Sequence, residues 1–212
     1  MSDLVFYTNP QSRGQTVRWM LEEVGQPYET EVLDYLTTMK TKPYLSINPM
    51  GKVPAIRHNG KVVTEVAAIC CYLADAFPEA KLAPPPADRA DYYRWIFFTS
   101  GPVEAAFSNK AAGWEPTPER QRMFGYGNYD LAINTLEKAL SGREYIAADY
   151  FTAADLFVGA NVNFMLAFNL LEPREVFVDY ARRMTDREAY RRAKDIDQKL
   201  VTEMQAHQPQ PA

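Results

Sequence analysis

Apolar and polar positions along the first third of the chain switch between two periods. Leu4–Thr8 (LVFYT) is a β-branched and aromatic run closed by the turn residues Asn9 and Pro10, and it predicts a strand. Val17, Met20, Leu21 and Val24 then fall at i, i+3, i+4 and i+7, which predicts an amphipathic helix capped by Ser12 and ended by Gly25. Tyr28–Asp34 predicts a second strand, followed by a poorly periodic connection through Tyr44 and Leu45. The run NPMGKVPAI (Asn48–Ile56) reads as a turn and a strand containing Pro54, and KVVT (Lys61–Thr64) follows the hairpin signal Asn59-Gly60. After Thr64, the residues Val66, Ile69, Cys70 and Leu73 share one helical face. The order is β-α-β-irregular-β-β-α.

Beyond it the pattern changes. Pro78–Arg89 (PEAKLAPPPADR) contains three consecutive prolines, which no helix continues through. From there every segment reads as helix: 88–112 with a kink at Gly101-Pro102, 117–141, 152–170 apolar nearly all round, 173–184, and 186–206. The expected organisation is an α/β domain over 1–79, a linker over 80–87, an all-helical domain over 88–206 and a frayed tail over 207–212. Phe151 and the Thr152-Ala153-Ala154-Asp155 stretch resemble a staple and capping box, which gives Thr152 and Asp155 structural roles.

Composition narrows the functions. With 212 residues and 47% hydrophobic content, the chain can bury one large core or two modest ones. A formal net charge of -4 argues against a nucleic-acid binder. No apolar run approaches the roughly 18 residues of a membrane span, and MSDLVFYTN lacks signal-peptide character. The only cysteines, Cys70 and Cys71, are adjacent, as expected in a reducing cytoplasm. Two histidines without ligand-like partners predict no metal site.

Two local features carry chemistry. Pro54 opens a strand and removes a ladder donor, either as a trans proline on an edge strand or as a cis proline that turns the Val53 backbone toward an added peptide strand. The helix after Thr64 presents an N-terminus to an anion at Glu65-Val66. A cis-proline loop beside a helix N-terminus resembles the thioredoxin fold. The corresponding first-helix start reads Asn9-Pro10-Gln11-Ser12, with no thiol, so disulfide exchange is excluded.

Taken together, FYTNPQSRGQTVRWMLEEVGQPYE, NPMGKVPAI, VVTEVAAICCYLAD and the all-helical second half resemble a cytosolic glutathione transferase over essentially the whole chain. The resemblance is closest to the bacterial and fungal serine-type branch. It implies a thioredoxin-like βαβαββα domain followed by an all-helical domain, glutathione as co-substrate without a metal, a small apolar electrophile as second substrate, and a homodimer. Glutathione would pair with Val53 beside Pro54, with Glu65 at its γ-glutamyl amine and the Val66 N–H at its carboxylate. Lys52 and Arg13 are candidates for the glycyl carboxylate. Alone, Glu65 would merely complement the helix dipole and Lys52 would be a solvated turn residue.

Catalysis would hold the glutathione sulfur as a thiolate. Lowering a thiol pKa from about 8.5 by two units takes roughly 2.7 kcal/mol. Ser12 and Tyr7 are the two hydroxyl candidates, against plain roles as an N-cap and a packed strand residue. Because NPQSRG does not match the serine-type pattern residue for residue, Asn9, Gln11 or a loop N–H is a third source. Pro102 and Phe107 are candidate electrophile contacts. Val66 departs from the family, which places a serine there; losing that charge-assisted bond costs about 1.5–3 kcal/mol. A glutathione-dependent peroxidase or dehalogenase, and a non-catalytic binding protein, stand as alternatives.

Overall fold

A computed structural model of the chain describes residues 3–206; the expected tail lies outside them. Contacts divide the chain into two compact units, one running to Ala80 and resuming at Arg187, the other spanning Lys81–Asp186.

The first unit holds a four-stranded mixed sheet. Strands β1 (Leu4–Thr8), β2 (Glu29–Val32), β3 (Ala55–His58) and β4 (Lys61–Thr64) are ordered β2-β1-β3-β4. β1 pairs parallel with β2 and antiparallel with β3, which pairs antiparallel with β4. Helix α1 (Gly14–Val24) makes the crossover, α2 (Lys42–Leu45) supplies one turn in the irregular stretch, and α3 (Val66–Ala76) closes the unit. On α1 the predicted face of Val17, Met20, Leu21 and Val24 is buried, and the αL residue Gly25 caps its end with an N–H to the Leu21 carbonyl. One sheet face carries a core of Tyr7, Leu33, Met39, Tyr44 and Ala55.

The second unit is helical: α4 (Ala90–Phe98), α5 (Glu104–Ala111), α6 (Tyr129–Leu140), α7 (Ala153–Ala167) and α8 (Glu175–Thr185). The kink expected at Gly101-Pro102 is a π-helical turn, Thr99–Val103, because Pro102 has no N–H to continue the regular ladder. The single helix expected over 117–141 is broken. A 3₁₀ turn (Gln121–Met123) precedes Gly125 and the positive-φ Gly127, and α6 starts only after Asn128, whose side chain accepts from the Leu131 N–H. Asp155 is buried and closes the α7 cap, accepting from the Thr152 N–H and hydroxyl and from the Ile146 N–H and Tyr180 hydroxyl. That is the structural role its sequence context implies.

The last helix, α9 (Glu188–Ala206), differs from the expected division. It belongs by packing to the first unit, not to the helical domain that precedes it in sequence. The reason is polar. α1 turns Arg18, Glu22 and Glu23 to its inner side, and buried charge requires partners. The fully buried Arg18 bonds Asp197 of α9 at 3.2 Å, as well as the Tyr28 hydroxyl and Thr30 Oγ1. Arg187 grips Glu23 through two bonds of 2.6 and 2.8 Å, and Arg192 reaches Glu22.

Burial raises the Asp197 carboxyl to about 6, outweighing the Arg18 charge that lowers it. Between about pH 4 and pH 6 the folded chain therefore keeps a proton that the unfolded chain has released, and this group's contribution to stability falls as pH rises through that window. In urea unfolding, the wild type is expected to lose on the order of 2–3 kcal/mol relative to Asp197→Asn between pH 4 and pH 7. A pH-independent difference between the two proteins contradicts this account.

Candidate functional site at one end of the sheet

The strand register gathers four loops. Tyr7 lies opposite Ala55, and Ala55 opposite Thr64. Continuing past those pairs brings Asn9–Ser12, Val53–Pro54 and Glu65–Val66 to the same end of the sheet. Thr8 pairs with Val32, so Leu33–Tyr35 emerge there too.

The first loop is set by Asn9. Its buried side chain makes two bonds: Nδ2 donates to the Leu33 carbonyl at 2.8 Å and Oδ1 accepts from the Gln11 N–H at 3.0 Å. This gives Asn9 the work of holding the loop to the end of β2. The N-cap of α1 is Arg13, not the expected Ser12, and makes no side-chain cap bond; one residue earlier, the Ser12 hydroxyl donates to the Asn9 carbonyl at 2.6 Å and accepts from the Gly14 N–H at 2.9 Å. Gly14 is required by space, because a Cβ there would lie 2.1 Å from Thr8 Oγ1 and 2.9 Å from Ser12 Oγ. The Gln11 side chain is exposed, and Arg13 is half-buried at the last position before α1. Tyr7 points away from this loop into the core beside Tyr44, with ring centroids 5.9 Å apart. Burial, against the Arg57 charge, raises its phenol pKa.

The second loop is the run NPMGKVP. The Asn48 side chain accepts from the Met50 N–H and donates to the Lys52 carbonyl at 2.7 Å, which also accepts from the Tyr44 hydroxyl at 2.6 Å. Gly51 sits at φ +59°, and its carbonyl accepts from Lys40 Nζ at 2.6 Å. The Val53–Pro54 peptide bond is cis. Among the described residues the Val53 N–H and C=O have no hydrogen-bond partner, which leaves them open to an added strand. The Lys52 side chain is exposed.

The third loop is the start of α3. Glu65 has φ +67° and ψ 121°, a conformation side chains rarely adopt, and makes no capping bond with its side chain. The first turn contains no acidic residue, so its N–H groups and dipole are uncompensated within the unit. Val66 opens the helix without a hydroxyl, as its sequence position implies.

The fourth loop escaped the sequence reading. Asp34 Oδ1 accepts from the Leu36 N–H, the Thr37 N–H and the Thr37 hydroxyl, and these bonds hold its carboxyl below the usual range. That turn places the Tyr35 hydroxyl on the Gln11 carbonyl at 3.1 Å. Asn48 and Tyr44 were missed as well; the Asn-Pro-x-Gly turn chemistry was the available signal for Asn48. In the helical unit, Pro102 lies in the π-helical turn, and Phe107 is buried with its ring 6.4 Å from that of Phe164. Cys70 and Cys71 form no disulfide, and burial pushes the Cys70 pKa up, as for a small core residue.

A family model described as the glutathione S-transferase N-terminal domain matches residues 12–76. Protein LigF of a Sphingobium species is 30% identical over 178 residues, covering 65% of this chain and 66% of that one. Glutathione S-transferase 1 of Schizosaccharomyces pombe is 29% identical over 158 residues, 68% of each chain. The chain thus spans about two thirds of the length of these relatives. Among solved structures, a glutathione transferase from Methylococcus capsulatus superposes with a TM-score of 0.75 at 25% identity, covering 92% of this chain and 99% of that one. With a thioredoxin-like sheet that ends in an unpaired Val53 beside the start of α3, and with these relatives, the chain belongs to the cytosolic glutathione transferase superfamily.

Proposed function

We propose that this chain binds glutathione at the end of the sheet and activates its thiol for attack on small apolar electrophiles, in the manner of the serine-type branch. The observation that carries this reading is the register. It brings an unpaired backbone edge (Val53), an uncapped helix N-terminus (α3) and a hydroxyl-bearing loop (Ser12) to the same end of the sheet, which supports their sharing one ligand. The cysteinyl backbone pairs with Val53. The γ-glutamyl carboxylate meets the N–H groups of Val66 and Ala67, and Glu65 takes the amine. The strained Glu65 backbone supports a ligand role, because such strain persists where surrounding structure holds a site in place. Lys52, exposed beside Val53, and Arg13 serve the glycyl carboxylate.

In the reaction the thiol proton leaves to water, and the thiolate sulfur forms the new bond to carbon as the leaving group departs with its electron pair. The protein's part is to favour the anion. Pro102 and Phe107 of the helical unit are proposed to contact the electrophile. A homodimer is proposed as the working form in the cytoplasm; α4 leaves Tyr93 and Phe97 exposed as apolar material for an interface. The second reading, a glutathione-binding protein without turnover, is favoured by Val66 and by the committed Ser12 proton.

Calorimetry with glutathione and turnover with a panel of halogenated and unsaturated electrophiles separate these readings. Binding with turnover is expected; binding without turnover favours the second reading, and no binding at about 10 mM overturns both. Val66→Ser is expected to lower the glutathione Kd about tenfold by restoring one charge-assisted bond. Backbone strain at position 65 gives a separate test. Glu65→Gly is expected to be more stable than Glu65→Ala by about 1 kcal/mol in thermal unfolding, because only glycine adopts positive φ freely. Both variants are expected to lose glutathione binding.

A further inference from the structure

The two hydroxyls named from the sequence differ in their surroundings. Tyr7 lies in the core, and Ser12 gives its one proton to the Asn9 carbonyl. A third hydroxyl stands over the same loop. Tyr35 projects from the Asp34 turn with its Oη 3.1 Å from the Gln11 carbonyl. At 44% exposure it can be reached by a ligand entering the loop. We infer that Tyr35 is a catalytic residue of the proposed reaction, donating its hydroxyl hydrogen bond to the glutathione thiolate in place of the Gln11 carbonyl, while Ser12 holds the loop.

Three features support this. The Gln11 carbonyl is a solvent-side acceptor, so a bound thiolate can replace it without leaving a buried group unpaired. Burial raises the Tyr35 phenol above its ordinary value. The phenol therefore stays protonated at neutral pH and acts as a donor, not a base. The three bonds accepted by Asp34 fix the backbone on either side of Tyr35, so the hydroxyl is placed before the ligand arrives. In balance, the thiol proton passes to water and Tyr35 keeps its own.

This inference rests on glutathione binding at the site, and the test separates the two. Wild type, Tyr35→Phe, Asp34→Ala, Asp34→Asn and the neighbouring Leu36→Ala are compared by glutathione calorimetry, by ultraviolet titration of the bound thiolate, and by the pH profile of kcat/KM. Tyr35→Phe is expected to keep the glutathione Kd within about threefold, to raise the bound thiol pKa by about one unit, and to shift the acid limb of the profile equally, with about tenfold less activity below it. Asp34→Ala is expected to shift both in the same direction, while Asp34→Asn, which retains the Oδ1 acceptor, and Leu36→Ala are expected to match the wild type. A Tyr35→Phe protein that binds glutathione with an unshifted thiol pKa and profile overturns this role alone. A wild type that binds no glutathione overturns the proposed function and this inference together.

Discussion

The side-chain amide of Asn9 is the bond pair on which the site depends. One half ties the loop after β1 to the Leu33 carbonyl at the end of β2, and the other fixes the Gln11 N–H within the loop. The bond to Leu33 is buried, so it does not compete with water on equal terms, and breaking it leaves an amide and a carbonyl unpaired in the interior. Everything else at this end follows. With Asn9 fixed, its carbonyl takes the Ser12 hydroxyl, Ser12 Oγ accepts from the Gly14 N–H, and α1 starts against Thr8 with no room for a Cβ. With Leu33 fixed, the Asp34 turn delivers Tyr35 back onto Gln11.

The other two loops are held by the same kind of economy. Tyr44 and Asn48 converge on the single Lys52 carbonyl, and Lys40 on that of Gly51. The turn is thereby rigid up to Val53, where the pairing stops. The contrast with Val53, and with the uncapped start of α3, is the signature of a site. Among the described residues the carbonyls of Gly51 and Lys52 are satisfied, while the Val53 backbone just beyond them is not.

The order of elements was legible because short strands and amphipathic helices have different periods, and Gly25, Pro54 and Asn59-Gly60 punctuate them. The open edge at Val53 and the start of α3 were legible from local turn chemistry. What was not legible depended on partners far away in sequence. Asn9 reads as a plain turn residue until Leu33, 24 residues on, is placed beside it. Arg18 reads as one polar residue on a helix until Asp197, 179 residues on, buries it. This is why α9 was grouped with the helices it follows. The helix expected over 117–141 failed for a different reason: periodicity was weighed above Gly125 and Gly127, although two glycines in three positions end a helix more surely than apolar spacing continues it.

Thiol activation sharpens what the α1 start can supply. A helix N-terminus offers both a field and free N–H groups. Here the Gly14 N–H goes to Ser12 Oγ, the Gln15 N–H to the Ser12 carbonyl and the Thr16 N–H to the Arg13 carbonyl. Its amides are spent inside the loop and only the field remains, worth roughly 0.3–1 kcal/mol near a surface. That is well short of the roughly 2.7 kcal/mol needed to hold a thiolate two pKa units below its free value. The balance must come from a charge-assisted hydrogen bond, about 1.5–3 kcal/mol, given by a donor whose present acceptor can be surrendered cheaply. Ser12 already gives its proton to the Asn9 carbonyl at 2.6 Å. Tyr35, the donor inferred above, gives up only a carbonyl that water can satisfy.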